Sequence, residues 1–341
     1  ATFNIHRVVL LLGATETIAP YAEAYAHYIF IAAPFMICSF IMNNLLRFQG
    51  KASFAMVGIT VGGLLNIALD PLFIFTLDMG TAGAALATGL SQFISFCILL
   101  WMCNHQDSCI SISIRKFRPK LAIYREVLYG GIPSLGRQGI ASVATILMNF
   151  MCQPYGDAAI AAMSIVSRFM FFINSVIIGF GQGFQPVCSY CFGAGLYDRV
   201  KKACWFCIRV STIILLVLSV ISFPAARSII TLFRRNDPTV IEIGTLALRL
   251  QLITLPLQGA VIMGNMMPQS IGYGFRATLV STARQGIFLI PLLTIMTYTI
   301  GLLGIQCAQP LADIATFILS LFVIRGIFKE FPEDASSFAA Q

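Results

Sequence analysis

The chain has 341 residues, of which 58% are hydrophobic and 11% are charged, and its mean hydropathy is +0.85. Because about a quarter of the residues in soluble globular domains are charged, this composition excludes an ordinary soluble protein and indicates an integral membrane protein. The net charge of +8 does not indicate nucleic-acid binding, since the basic residues alternate with apolar runs of membrane-spanning length.

Apolar windows of about 20 residues, the length that crosses a bilayer, recur along the whole chain. They predict an all-α polytopic membrane protein with nine complete transmembrane helices, preceded by a stub in the first dozen residues. The predicted helices are 21–46, 53–77, 82–103, 132–152, 158–191, 201–227, 241–267, 277–299 and 304–325.

The basic residues of the connections predict the orientation of the chain, because Lys and Arg concentrate on the cytoplasmic side. The other side holds only Arg7, Arg227, Arg234 and Arg235. We therefore expect a multi-pass protein of the plasma (inner) membrane with a cytoplasmic C-terminus. The residues assigned to the cytoplasmic side are Arg47, Lys51, Arg115, Lys116, Arg118, Lys120, Arg125, Arg199, Lys201, Lys202, Arg276, Arg325 and Lys329.

An internal repeat predicts two lobes. Residues 49–57 resemble 271–279, and Gly80-x-x-Gly83 resembles Gly301-x-x-Gly304, at displacements of 222 and 221 residues. Both similar turns of the first pair fall on the cytoplasmic side, so the lobes are predicted to be pseudo-symmetric about an axis along the membrane normal. The predicted domains are the remainder of an N-terminal lobe (1–104), a cytoplasmic linker (105–131), a six-helix C-terminal lobe (132–327) and a cytoplasmic tail (328–341).

One carboxylate, Asp70, lies inside a predicted span, where a charge costs about 3 kcal/mol. Asn66 shares its helix face, and Thr88 lies at a similar depth of about 12–15 Å on the next helix. Pro71 frees the backbone carbonyl four residues earlier. Such a set of oxygens suits a proton or a hard monovalent cation. The alternative is that Asp70 stays protonated and only forms hydrogen bonds within a kinked helix.

Two segments carry a resemblance to a known family. G-F-G-Q-G-F-Q-P at 179–186 and F-G-A-G-L-Y-D-R-V at 192–200 resemble the eighth helix and following loop of the multidrug and toxic compound extrusion (MATE) family. Within that family, the segment G-Q-G-F-Q-P-V-C at 181–188 is most similar to the MepA-like branch. Further matches extend the resemblance over essentially the whole chain: 12–15, 45–50, 66–75, 83–88 and 130–134.

The resemblance implies twelve helices in two six-helix bundles around a central cavity, with an N-terminal lobe that is incomplete in this chain. It also implies secondary active efflux of organic, often cationic, drugs by antiport with H⁺ or Na⁺. Asn66, Asp70 and Thr88 resemble the family's cation-coupling site. The family's remaining acidic partner lies on the first helix, so the resemblance implies that the site is incomplete in this chain. Without the first two helices the cavity would be open on one flank, so we expect this N-terminally truncated chain not to transport.

Arg137 and Gln138 match the MepA-like pattern and are candidates for the substrate cavity. Further candidates are polar or adaptable apolar side chains, which would line a cavity that accepts varied substrates: Gln182, Gln185, Met263 and Asn265. Ordinary helix packing is the alternative for each, and Arg137 alternatively reaches the cytoplasmic surface. Arg284 and Asp313 are predicted to form a structural ion pair, and the C-terminal lobe contains no twin of Asp70.

Other functions have less support. Cys188-x2-Cys191 and Cys204-x2-Cys207 have zinc-site spacing but lie in apolar helices, so no metal is expected. No catalytic constellation or phosphate-binding glycine loop is present in the sequence, and an enzyme is not expected. We expect no cofactor beyond the coupling ion, and a monomer in the lipid bilayer. A flippase for lipid-linked sugars and a membrane-embedded enzyme stay open as alternatives.

Overall fold

The computed structural model describes Ile5 and residues 19–105, 120–234 and 237–331. Apart from Ile5, the predicted stub in the first dozen residues lies outside the described residues, and so does most of the polar part of the predicted linker. The chain divides into two compact units, Ala1–Arg118 and Pro119–Gln341.

The described residues 19–105 of the first unit form three long helices. Helix α1 is Ala19–Phe48, α2 is Ala52–Pro71 with a wider final turn at Leu72–Thr76, and α3 is Gly80–His105. Glycines allow α2 to lie close to α3: a Cβ on Gly62 would stand 2.9 Å from Ser95 Cβ. Ser95 Oγ donates to the carbonyl of Gly58 at 2.8 Å, which adds a polar contact to this small-residue interface.

The second unit contains the remaining helices, and prolines or irregular turns interrupt several of them. Helices α7 and α8 are separated by a tight turn at Leu255–Leu257, and α9 and α10 by a wide turn at Ala283–Phe288. The helix bounds are α4 Leu121–Cys152, α5 Asp157–Gly193, α6 Tyr197–Phe233, α7 Pro238–Thr254, α8 Gln258–Ser270, α9 Gly274–Thr282, α10 Leu289–Ile300 and α11 Leu302–Glu330.

Joined across their irregular turns, the helices of the described residues make nine rods, each at a predicted position. Eight of them are long and apolar enough to cross a membrane. The predicted all-α membrane fold is confirmed. The predicted start of one helix at 132 is wrong, because α4 begins at Leu121 and runs through Gly130 and Gly131. Two helical glycines cost only about 1 kcal/mol each, which is too little to end a long helix.

The predicted repeat recurs in hydrogen bonds within each unit. Asn43 Nδ2 donates to the carbonyl of Ala55 at 2.8 Å, and Asn265 Nδ2 donates to that of Ala277 at 2.6 Å. Both members of the second pair are displaced by 222 residues from those of the first. Gly50 and Gly272, which have the same displacement, both adopt positive φ, at 77° and 91°.

A second pair of turns shows the same correspondence. Gly80 and Gly301 adopt positive φ of 54° and 69°, a backbone region open to glycine. Three residues later, Gly83 and Gly304 each lie against a carbonyl of the preceding helix. An added Cβ would stand 2.8 Å from Phe73 O at Gly83 and would overlap Met296 O at Gly304. The turn before α3 and the turn before α11 therefore have the same backbone geometry and the same close helix contact.

Candidate functional site

The structure brings together the three residues predicted as the cation site. Asn66 Nδ2 lies 3.3 Å from Asp70 Oδ1 and 3.4 Å from Thr88 Oγ1. Thr88 Oγ1 donates to the carbonyl of Ala84 at 3.0 Å, so its lone pairs accept from Asn66. All three side chains are half-buried. The amide of Asn66 therefore links a carboxylate on α2 to a hydroxyl on α3.

Local sequence explains why these helices meet at this depth. Pro71 has no N–H and ends the regular part of α2, after which Leu72–Thr76 forms a wider turn. Gly83 then packs directly on the carbonyl of Phe73, where no larger residue fits without displacement. This close approach aligns the first two turns of α3 with the last turn of α2, which carries Asp70.

Asp70 carries no built-in counter-charge within the described residues. Its only interaction there is the hydrogen bond from Asn66. A carboxylate at this depth is costly without a cation or a proton. The oxygens of Asp70, Asn66 and Thr88 are of the type that hard monovalent cations prefer. The arrangement can hold an exchangeable proton or cation; its role in coupling stays a prediction.

The candidate cavity residues of α4 and α5 differ in what the structure shows. The side chain of Arg137 lies outside the described residues, and that of Gln138 is exposed on α4. Gln182 is half-buried on α5. Gln185 Nε2 lies 3.4 Å from Gln269 Oε1, so these amides connect α5 to α8.

The two candidates on α8 make packing contacts. Met263 is completely buried, and its Cε lies 3.1 Å from where a Cβ on Gly181 would stand. The Asn265 side-chain amide donates to the carbonyl of Ala277, in the hydrogen bond that both units share. These contacts favour the packing alternative for both residues, and their place in a substrate cavity stays a prediction.

The predicted ion pair between Arg284 and Asp313 is confirmed, with Nε 2.8 Å from Oδ1. Sequence reasoning missed two further partners of this carboxylate. Gln258 Nε2 donates to Oδ2 at 2.9 Å, and Gln309 Nε2 donates to Oδ1 at 3.2 Å. Gln309 precedes Asp313 by one helical turn, and this spacing in the sequence could have predicted their contact. Gln258 follows the turn around Pro256, so no periodicity pointed to it.

An open cleft of about 760 Å³ lies in the second unit between the end of α6 and the starts of α7 and α11. Arg227, Glu242, Arg249 and Gln306 contribute its polar lining. None of the predicted site residues lines this cleft. Among the described residues, no three His, Cys, Asp or Glu side chains are grouped to hold a metal ion.

The fold and the site together define a class of protein: a polytopic helical membrane protein built from an internal repeat, an architecture typical of secondary transporters. The MatE family model matches residues 1–72 and 133–299. The chain belongs to the MatE family, which confirms the resemblance to MATE transporters.

Three similar proteins illustrate the relationship. The chain is 27% identical over 331 residues to the multidrug export protein MepA of Staphylococcus haemolyticus, covering 97% of the chain and 73% of that protein. It is 28% identical to the MepA of Staphylococcus saprophyticus, with coverages of 94% and 71%. A solved outward-facing structure of a multidrug resistance MATE family transporter superposes with a TM-score of 0.88 at 25% identity, over 97% of this chain and 74% of that one. These relatives are transporters rather than enzymes.

Proposed function

We propose that this protein exports small organic, often cationic, compounds across the plasma membrane by antiport with H⁺ or Na⁺. The observation that carries the proposal is the convergence of Asn66, Asp70 and Thr88 across two helices at membrane depth. The names of the relatives, which are multidrug export proteins, support the same activity. They also disfavour a lipid-linked sugar flippase and a membrane-embedded enzyme.

The chemistry of the proposed cycle follows from Asp70, which has no cationic partner among the described residues. An ionised carboxylate without a fixed cationic partner attracts a proton or Na⁺, and the bound ion offsets its cost at membrane depth. Asn66 and Thr88, which are joined by a hydrogen bond, supply neutral oxygens. Ion binding drives export if the ion binds one conformation of the transporter more tightly than the other. No cofactor beyond the coupling ion is needed.

For the substrate, the proposal assigns contacts to polar residues of α4 and α5: Arg137, Gln138, Gln182 and Gln185. Amides bind varied polar groups without requiring one charge, which suits a transporter with several substrates. The protein works as a monomer in this proposal, with its C-terminus in the cytoplasm as the distribution of Lys and Arg indicates.

Efflux driven by an imposed ion gradient tests the proposal. The protein is expressed from its complete reading frame in everted membrane vesicles, and accumulation of a fluorescent cationic dye is followed after an H⁺ or Na⁺ gradient is applied. Asp70→Asn is expected to abolish gradient-driven dye transport.

Asp78→Asn is the matched control, because Asp78 is an exposed carboxylate in the turn only eight residues further along. It is expected to retain transport. Undiminished transport by Asp70→Asn would contradict the proposal, as would equal loss in the two variants.

A further inference from the structure

The second unit contains a buried carboxylate in the middle of its span. Asp313 is 1% exposed and lies eleven residues, about 17 Å, inside α11. Arg284 lies near the middle of the rod formed by α9 and α10, so the ion pair is far from both helix ends. An ionised carboxylate at this depth requires a cation, and here the protein supplies it from its own chain.

The internal repeat relates this cluster to the site around Asp70. The displacement of 221 residues that relates Gly83 to Gly304 also relates Thr88 to Gln309. Gln309 donates to Asp313, one turn deeper in the membrane. The corresponding helix pair of each unit thus carries an intramembrane carboxylate held by a side-chain amide. The two sites differ in their charge partners: Asp313 has Arg284, whereas Asp70 has no cationic partner among the described residues.

The surroundings of Asp313 are rich in oxygen as well as in donors. Gln258 is 1% exposed, and its Oε1 is buried without a hydrogen-bond partner in the described part of the chain. An amide can turn either its NH₂ or its oxygen toward the same neighbour. Two carboxylate oxygens and the amides of Gln258 and Gln309 therefore offer the ligand types that a hard monovalent cation uses.

Irregular backbone geometry positions the guanidinium of Arg284 next to Asp313. Arg284 lies in the wide turn Ala283–Phe288, which inserts an extra residue into the helical turn and changes the direction of the side chains. Gln258 follows the break at Leu255–Leu257. Two irregular turns on separate helices thus bring their side chains to one carboxylate.

We propose that Arg284 is the tethered cation of a second cation site, formed by Asp313, Gln258 and Gln309. The guanidinium occupies the position that an exchangeable ion such as Na⁺ would take. The second unit consequently binds no exchangeable ion at this position, and any ion exchange takes place at the site around Asp70 in the first unit. The ligand chemistry of this cluster is independent of whether Asp70 couples ion binding to transport.

The test is to remove the tethered cation and ask whether a free one replaces it. Thermal unfolding of the purified full chain is measured in Na⁺, K⁺ or N-methylglucamine chloride at one pH and ionic strength. All variants carry Asp70→Asn, so that ions bound in the first unit do not contribute. In this background Arg284→Ala and Arg284→Gln are expected to be stabilised specifically by Na⁺ or K⁺, with about a tenfold rise in the folded-to-unfolded ratio per tenfold rise in ion above its dissociation constant.

Three controls define the site. Adding Asp313→Asn to Arg284→Ala is expected to remove the ion dependence, and Arg284→Lys is expected to show none because it keeps a tethered charge. Arg209→Ala removes an exposed arginine of α6 outside the cluster and is expected to behave as the background. If the Arg284 variants fold poorly, the recovery of monodisperse protein after extraction in Na⁺ and in N-methylglucamine is compared instead. Stability or recovery that is independent of the cation, or a response that persists with Asp313→Asn, would overturn the proposal.

Discussion

Gly83→Ala tests the helix contact that aligns the candidate cation site. The added Cβ would stand 2.8 Å from Phe73 O. An ordinary C···O contact is about 3.3 Å, so α3 must move by about 0.5 Å or the wide turn after Pro71 must open. Overpacking of this kind costs about 1–3 kcal/mol. Because Thr88 lies on α3, the same movement is expected to lengthen its contact with Asn66.

Gly63→Ala is the matched control on α2. A Cβ there meets nothing within 4 Å, so the substitution removes only the backbone entropy cost of glycine and should stabilise by about 0.5–1 kcal/mol. Both variants are unfolded in detergent micelles by increasing the fraction of a denaturing detergent. Gly83→Ala is expected to unfold first, the parent next and Gly63→Ala last. If Gly83→Ala were as stable as Gly63→Ala, the proposed contact would not constrain α3.

Three further substitutions separate packing roles from functional ones. Asn43→Ala and Asn265→Ala remove the repeated hydrogen bonds to Ala55 and Ala277; each should cost about 1–3 kcal/mol in the same unfolding assay, with the larger cost at Asn43 because it is 3% exposed. A loss at only one of them would argue against equivalent roles in the repeat. Met263→Ala should cost about 2–5 kcal/mol because the side chain is completely buried. A changed dye profile with unchanged stability would instead place Met263 in the substrate cavity.

The membrane fold and the contact between Asn66 and Thr88 were predictable for physical reasons. Hydropathy over twenty residues identifies a span without knowledge of its neighbours. Equal distances from one turn place Asn66 and Thr88 at similar depths on antiparallel helices, and the turn glycines marked that hairpin. The ion pair between Arg284 and Asp313 followed from the same reasoning about depth.

Contacts that depend on irregular backbone were not predictable. Gln258 reaches Asp313 only because the helix is broken at Leu255–Leu257, and single-helix periodicity assumes no such break. Asn43 and Asn265 donate to backbone carbonyls, which leave no trace in the side-chain pattern. The start of α4 was misplaced because paired glycines indicate a break more strongly than their small energetic cost justifies.

The most direct test of the central claim is the release of the coupling ion from purified protein on addition of substrate. The protein from the complete reading frame is equilibrated in weakly buffered detergent solution, and H⁺ and Na⁺ are followed when a cationic dye is added. Release of one of these ions is predicted for the parent and for Asp78→Asn, and no release for Asp70→Asn. Undiminished release from Asp70→Asn would contradict the assignment of Asn66, Asp70 and Thr88 as the coupling site.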